Sequence, residues 1–201
     1  MKVTLVDHGA GNVASVERAL QRLGVASHRI STPDTIAEAE ALLLPGVGHY
    51  SALIRALDQK GLRAPLLEAI GRGVPFLGIC LGLQALYETS EEAPELAGLG
   101  LLKGRICALP AEVKLPHMGW NQIQAKRASR LLDGISGSDY FYFAHSYAAP
   151  AANAETVADC AHGRAFAAVV EKENLFAVQF HPEKSGEAGA RILQNFLRLA
   201  A

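Results

Sequence analysis

Basic runs, long apolar stretches and paired cysteines are all missing from this chain of 201 residues. Lys and Arg number 19 against 20 Asp and Glu, a formal net charge of −1, and they form no run. Without a concentrated positive field, no nucleic acid or anionic membrane surface is expected as a partner. No apolar segment approaches the roughly 20 residues that a membrane-spanning helix needs. The opening MKVTLVDHG also has no long apolar region after Lys2. Three widely spaced cysteines, Cys80, Cys107 and Cys160, make neither a disulfide framework nor a metal pattern. A reducing, cytoplasmic setting is expected, with no metal and no cofactor. Repeats, low-complexity tracts and linkers are absent too. Half of the chain is apolar, enough for one domain over residues 1–201 with a sizeable core.

What is present is an alternation of strand and helix through the first half. Lys2 to Asp7 reads as a short strand, and Asn12 to Leu23 as a helix with Val13, Val16, Ala19, Leu20 and Leu23 on one face, closed by Gly24. A strand over Val25 to Ile30, a short helix over Ile36 to Ala39 begun by Pro33-Asp34, and a strand over Ala41 to Leu44 stopped by Pro45-Gly46 follow. Helices over Tyr50 to Leu57 and Pro65 to Ile70 then lead to the apolar run Pro75 to Ile79. Such alternation implies parallel pairing and a doubly wound α/β sheet. The second half changes character. Leu101–Leu109, Gly119–Gln124, Asp139–Phe143, Glu155–Ala161, Ala165–Glu171 and Leu175–Phe180 read as strands with short connections. They suggest antiparallel hairpins added to one edge of the sheet, before a last amphipathic helix over Glu187 to Leu199.

In an open parallel sheet, ligands bind beyond the carboxyl ends of the strands, so three loops matter. The first contains Gly9-x-Gly11-x-x-Ala14, a formal dinucleotide fingerprint. The acid expected about 20 residues later is replaced by Arg29-Ile30-Ser31-Thr32, and the dinucleotide reading is rejected. The second, Pro45-Gly46-Val47-Gly48, has glycines that let a peptide turn its N–H toward a neighbouring site, as an oxyanion hole requires. The third is the corner FLGICLGLQAL, where Cys80 sits between Gly78 and Gly82 as an apolar strand gives way to apolar residues at helical spacing, Leu81 to Glu88. A sharp strand-to-helix turn lifts its own side chain clear of the sheet and leaves room only for hydrogen at the flanking positions. A thiol raised there beside helical N–H groups is a candidate nucleophile, and it needs a base.

Of seven histidines, His181 is the best placed, at the end of the strand Ala177-Val178-Gln179-Phe180. If the chain stays extended through His181-Pro182-Glu183, residues 181 and 183 point to one side. Glu183 can then accept from Nδ1 and leave the other ring nitrogen to exchange a proton with the thiol.

With Gly78-Ile79-Cys80-Leu81-Gly82-Leu83-Gln84 and His181-Pro182-Glu183 in one chain, the sequence resembles the class I glutamine amidotransferases. Asp7-His8-Gly9-Ala10-Gly11-Asn12, Pro45-Gly46-Val47-Gly48, Pro116-His117-Met118-Gly119-Trp120-Asn121, Phe143-Ala144-His145-Ser146-Tyr147 and His181-Pro182-Glu183-Lys184-Ser185 narrow that resemblance. Together they are similar to the glutaminase subunits of imidazole glycerol phosphate synthases. One departure is His8, where Tyr is expected.

The resemblance implies an α/β fold with a mostly parallel central sheet flanked by helices, and antiparallel strands in the second half. It implies a Cys80–His181–Glu183 triad that hydrolyses glutamine, with Val47 and Leu81 at the oxyanion hole. Gly48, Gln84, His145, Ser146 and Tyr147 would hold glutamine. The implied partner is a separate (β/α)8-barrel cyclase/synthase subunit, reached through Asn12, His117, Met118, Trp120, Tyr142 and Lys184. Phe141 and Phe143 are expected in the core. Two other readings stand beside this one: the glutaminase subunit of another small amidotransferase, such as that of pyridoxal phosphate synthase, and a non-catalytic regulator on the same fold. The complete set Cys80, His181, Glu183 argues against the latter.

Overall fold

The computed structural model describes residues 3–9 and 12–201; Lys2 of the first expected strand and Ala10-Gly11 of the first loop lie outside the described residues. The chain begins with β1 (Val3–Val6), α1 (Val13–Arg22), β2 (Ser27–Ile30), β3 (Ala41–Gly46), α2 (Tyr50–Gln59), α3 (Arg63–Gly71), β4 (Phe76–Cys80) and α4 (Leu81–Gln84). It continues through β5 (Tyr87–Ser90), β6 (Leu102–Ala108), β7 (His117–Gln122), β8 (Gln124–Ala125), β9 (Tyr140–His145) and β10 (Tyr147–Ala148). Then come β11 (Thr156–His162), β12 (Arg164–Lys172), β13 (Leu175–Val178) and α5 (Gly186–Ala200).

An eight-stranded sheet in the order β2-β1-β3-β4-β13-β12-β11-β8 organises these elements. From β2 to β13 all pairings are parallel; from β13 outward they are antiparallel. The central strands are buried at every position, and almost wholly apolar, because both faces are covered. Val3, Leu5, Leu43, Leu77 and Ile79 join a core with α1 and α5, whereas Val6, Leu42, Leu44 and Phe76 face a core with α2 and α3. The first core also takes in Phe141, Phe143, Phe166 and Phe180, so Phe141 and Phe143 are core residues as expected.

Several expectations need correction. The late strands are not all added to one edge. β13 lies inside the sheet, parallel to β4, while β7 and β9 form a separate two-stranded ribbon and β10-β6-β5 a small third sheet in which β5 and β6 are parallel. The helix expected over Leu81 to Glu88 stops after one turn. Leu99 N–H takes the Ala85 carbonyl at 2.7 Å and Leu102 N–H takes that of Leu86 at 2.9 Å, so a returning segment captures acceptors a longer helix would use. The helix expected over Ile36 to Ala39 is only a 3-10 turn at Pro33–Thr35.

β3 runs through Pro45-Gly46 instead of stopping before them. Pro45 is tolerated because β1 pairs with β3 only as far as Leu43, and no neighbour on that side needs its missing N–H. Gly46 is opposite Cys80 in register, and a Cβ on it would lie 2.8 Å from that of Leu81. The freedom imagined for the Pro45-Gly46-Val47-Gly48 loop therefore resides in Gly48, whose φ of +94° and open surroundings only glycine adopts cheaply.

Candidate active site

The strand-to-helix corner is held by missing side chains. A Cβ on Gly82 would meet the Leu44 carbonyl oxygen at 1.9 Å, and one on Gly78 would meet the Gly82 oxygen at 2.8 Å. Between them Cys80 adopts φ 54° and ψ −105°, a left-handed strain for a non-glycine residue. Its sulfur opens on a cleft of about 620 Å³ at the carboxyl ends of the parallel strands. Val47, Gly48, Leu81, Gln84, His145, Ser146, Tyr147, His181, Asn12 and Lys184 border the same cleft, so residues expected at the oxyanion and glutamine sites are brought together.

His181 leaves the strand extended, but the chain then turns: Pro182–Lys184 is a 3-10 turn, not the continued strand expected. The pair still meets, because the turn folds Glu183 back until its Oε1 accepts from His181 Nδ1 at 2.9 Å. Three clamps hold the turn. His181 N–H donates to the Tyr142 carbonyl, Ser185 Oγ donates to that of His181, and α5 approaches so closely that a Cβ on Gly189 would lie 2.0 Å from the Pro182 oxygen. Asn12, at the head of α1, makes no side-chain cap; its amide donates instead to Glu183 Oε1 at 3.0 Å. Burial opposes charge on the His181 ring, but the adjacent Cys80 thiolate and then Glu183 outweigh it and raise its pKa to about 10.

The second wall of the cleft is built on the ribbon. His145 Nδ1 faces the Tyr147 carbonyl at 2.9 Å, so that nitrogen carries the proton and Nε2 accepts from His117 Nδ1 at 3.1 Å. His117 Nε2 then accepts from the Asn121 amide. His117, expected at the partner face, is turned inward and stacked between Phe143 and His162, with ring centroids 4.8 and 4.2 Å away. Burial holds both imidazoles neutral: His117 is lowered to about 4, with His162 adding to the effect, and His145 to about 3, with His117 adding.

On the opposite face of the ribbon Met118 and Trp120 are 65% and 56% exposed. The Trp120 ring meets that of Tyr142 edge-on at 5.9 Å, and the Lys184 ammonium lies over Tyr142. His8 is buried, donates from Nε2 to the Pro45 carbonyl at 3.1 Å, and has its pKa lowered chiefly by burial.

Two site residues escaped the sequence reading. Glu92 borders the cleft from the loop after β5 and accepts from Tyr50 N–H; nothing in its surrounding sequence marks it. Gln179, fully buried, reaches Cys80 Sγ at 3.5 Å. Its signal was parity: it stands two residues before His181 on a strand and shares its side.

Residues 4–200 match the family described as glutamine amidotransferase class-I. The chain belongs to the class I glutamine amidotransferases. It is 45% identical, over 98% of its length and 94% of the relative's, to imidazole glycerol phosphate synthase subunit HisH of Salinibacter ruber. It is 47% identical to the protein of the same name from Moorella thermoacetica, over 96% and 93%. Among solved structures it resembles a glutamine amidotransferase crystal structure with TM-score 0.79 at 20% identity, each chain covered to 98%. It also resembles a structure of PurLQS from Thermotoga maritima with TM-score 0.78 at 20% identity, covering 100% and 99%. At that identity the likeness concerns the fold. Among the described residues no helix is long and apolar enough to cross a membrane.

Proposed function

We propose that this chain is the glutaminase subunit of an imidazole glycerol phosphate synthase. As a single cytoplasmic domain, it hydrolyses glutamine and passes ammonia to a (β/α)8-barrel cyclase/synthase subunit. That subunit makes imidazole glycerol phosphate and AICAR in histidine biosynthesis, and the two form a heterodimer. The observation that carries the reading is the meeting of Cys80, the His181–Glu183 pair and the Val47-Gly48 loop in one cleft.

Cys80 as thiolate attacks the side-chain amide carbon of glutamine. Charge moves to the carbonyl oxygen, which the N–H groups of Val47 and Leu81 receive; one such donor is typically worth roughly 3–4 kcal/mol of barrier. His181, held by Glu183, protonates the departing ammonia, and water then releases glutamate from the thioester. Both amide hydrogens of Gln84 are committed to the Tyr147 carbonyl and to Gln179 Oε1, which leaves its oxygen for the substrate ammonium. Glu92 adds negative charge for the same group. His145 uses both ring nitrogens internally, so its contribution, with Ser146 and Tyr147, is through the backbone. Met118, Trp120, Tyr142 and Lys184 offer an apolar face with a cation at its rim, suited to a protein partner.

Steady-state glutaminase kinetics on the chain alone and with the barrel subunit test this. The isolated chain should be slow, with stimulation mainly in kcat because the Val47-Gly48 donor must be aligned. A Cys80→Ala chain that still hydrolyses glutamine, or a free chain already at full turnover, would overturn it.

A further inference from the structure

Gln179 is a fully buried amide whose orientation can be assigned without ambiguity. The Tyr147 carbonyl can only accept, so the Gln84 group 2.8 Å from it is the NH2. That same nitrogen lies 3.2 Å from the Gln179 side chain, which must present its oxygen there; the flipped amide would set two donors against each other. The other end of Gln179 is therefore its NH2, and it points at Cys80 Sγ, 3.5 Å away. Gln179 is fixed from behind as well, since its backbone N–H donates to the Ala168 carbonyl at 2.9 Å. A neutral thiol is a poor acceptor, and a buried amide facing one would be left nearly unsatisfied. A thiolate is a strong acceptor, and N–H bonds to charged groups are about twice as strong as neutral ones.

We propose that Gln179 is a catalytic residue whose side-chain N–H stabilises the Cys80 thiolate, with Gln84 acting as the positioning residue that holds it. This rests on the glutaminase reading and deepens it. In the resting site the sulfur charge is shared between the His181 imidazolium and the Gln179 amide. When the S–C bond forms, the charge passes to the substrate carbonyl oxygen and the Gln179 contact weakens. When the C–N bond breaks, ammonia leaves with the proton from His181. When water cleaves the thioester it gives a proton to His181, the sulfur regains its electron pair, and the contact re-forms. Gln84 thus joins substrate binding to the state of the nucleophile, because one side chain serves both.

The charged and titratable groups around the sulfur are His181, Glu183 and Lys184 from the turn after β13, His145 from the end of β9, and Glu92 across the cleft. Substituting Gln179 leaves all of them in place. The test is the pH profile of iodoacetamide alkylation of Cys80, followed on its own peptide by mass spectrometry so that Cys107 and Cys160 do not contribute. Glutaminase kinetics are measured alongside on the complex with the barrel subunit. For Gln179→Leu the alkylation midpoint should rise by about one to two pH units. The kcat should fall at least about tenfold and by more than KM rises, since Gln179 touches the sulfur directly but reaches substrate only through Gln84. Gln179→Met keeps the length but has no N–H for sulfur, and its midpoint should rise as far. A folded Gln179→Leu protein with the unsubstituted midpoint overturns the proposal. If that variant does not fold, an unshifted midpoint in Gln179→Met overturns it instead. Absence of Cys80-dependent glutaminase in the unsubstituted complex would overturn the function itself, a result separate from either.

Discussion

Cys80 ends a strand paired in parallel on both sides and covered on both faces, whereas Trp120 stands on a two-stranded ribbon with one face open to water. In the first region position is set by backbone packing so tight that glycine is required at Gly46, Gly78 and Gly82. In the second it is set by side chains: the inward face carries Phe141, Phe143, His117 and His145 in rings and hydrogen bonds, and the outward face carries Met118 and Trp120 with little beneath them. The difference teaches that the nucleophile is held rigidly by the fold, while the ribbon is a surface that can respond to what covers it. His181 joins the two, rising from the strand beside β4 and clamped by the Tyr142 backbone of the ribbon.

The sharpest separation of the two regions comes from the nucleophile. Cys80→Ala should lower glutamine hydrolysis by at least about three orders of magnitude while circular dichroism stays native. The complex should still make product from added ammonia, and equal loss of both activities would break the division of labour. Gly82→Ala tests the rigidity of the same corner. With a carbonyl oxygen 1.9 Å from the new Cβ, it should destabilise the fold by about 3 kcal/mol or more. A denaturation midpoint unchanged from the parent would show that the corner yields.

On the ribbon the signs reverse. Trp120→Ala should leave stability within about 0.5 kcal/mol yet weaken binding to the barrel subunit by about 2 kcal/mol, some thirtyfold. Titration of the variant against the partner decides it, and an unchanged Kd would remove Trp120 from the interface.

The smallest effect, taken per group and per pH unit, is electrostatic. His117 and His145 are neutral when folded, with pKa lowered to about 4 and about 3, and take up protons on unfolding below about 6.5. Their contribution is complete above that pH and is lost as pH falls toward 4, at up to about 1.4 kcal/mol per pH unit for each group. His181 has the opposite sign: raised to about 10, it favours the fold below about 6.5 and loses that contribution as pH rises through 10. Urea denaturation against pH should show the acid slope, and His117→Phe should flatten it; an unaltered slope would mean that the ring titrates elsewhere.

Local chemistry was legible from the chain alone. Glycine spacing marked the Cys80 corner, whereas HMGWN reads as one partner-facing stretch, although the strand puts Met118 and Trp120 on the exposed side and His117 on the buried one. Period-2 reasoning failed where the chain left regular structure: the 3-10 turn at Pro182–Lys184 brings Glu183 to His181 by folding back, which strand parity cannot describe. Helical spacing failed after Gln84, because Leu86 and Tyr87 are buried equally well in a helix or a strand, and a returning segment settled the matter.

The sequence by itself determined that a strained corner carries a thiol, that a histidine with a carboxylate two residues away ends a strand, and that the early strands are parallel and doubly covered. These follow from steric rules and from periodicity within a few residues. Only the tertiary structure decided that β13 inserts beside β4, which sets His181 and Gln179 against Cys80 across 99 to 101 positions of chain. Asn12 was likewise drawn from a helix cap to Glu183, and His117 was turned into the core. Those outcomes depend on which distant groups compete for the same hydrogen bonds and the same buried volume, and local periodicity carries no information about that competition.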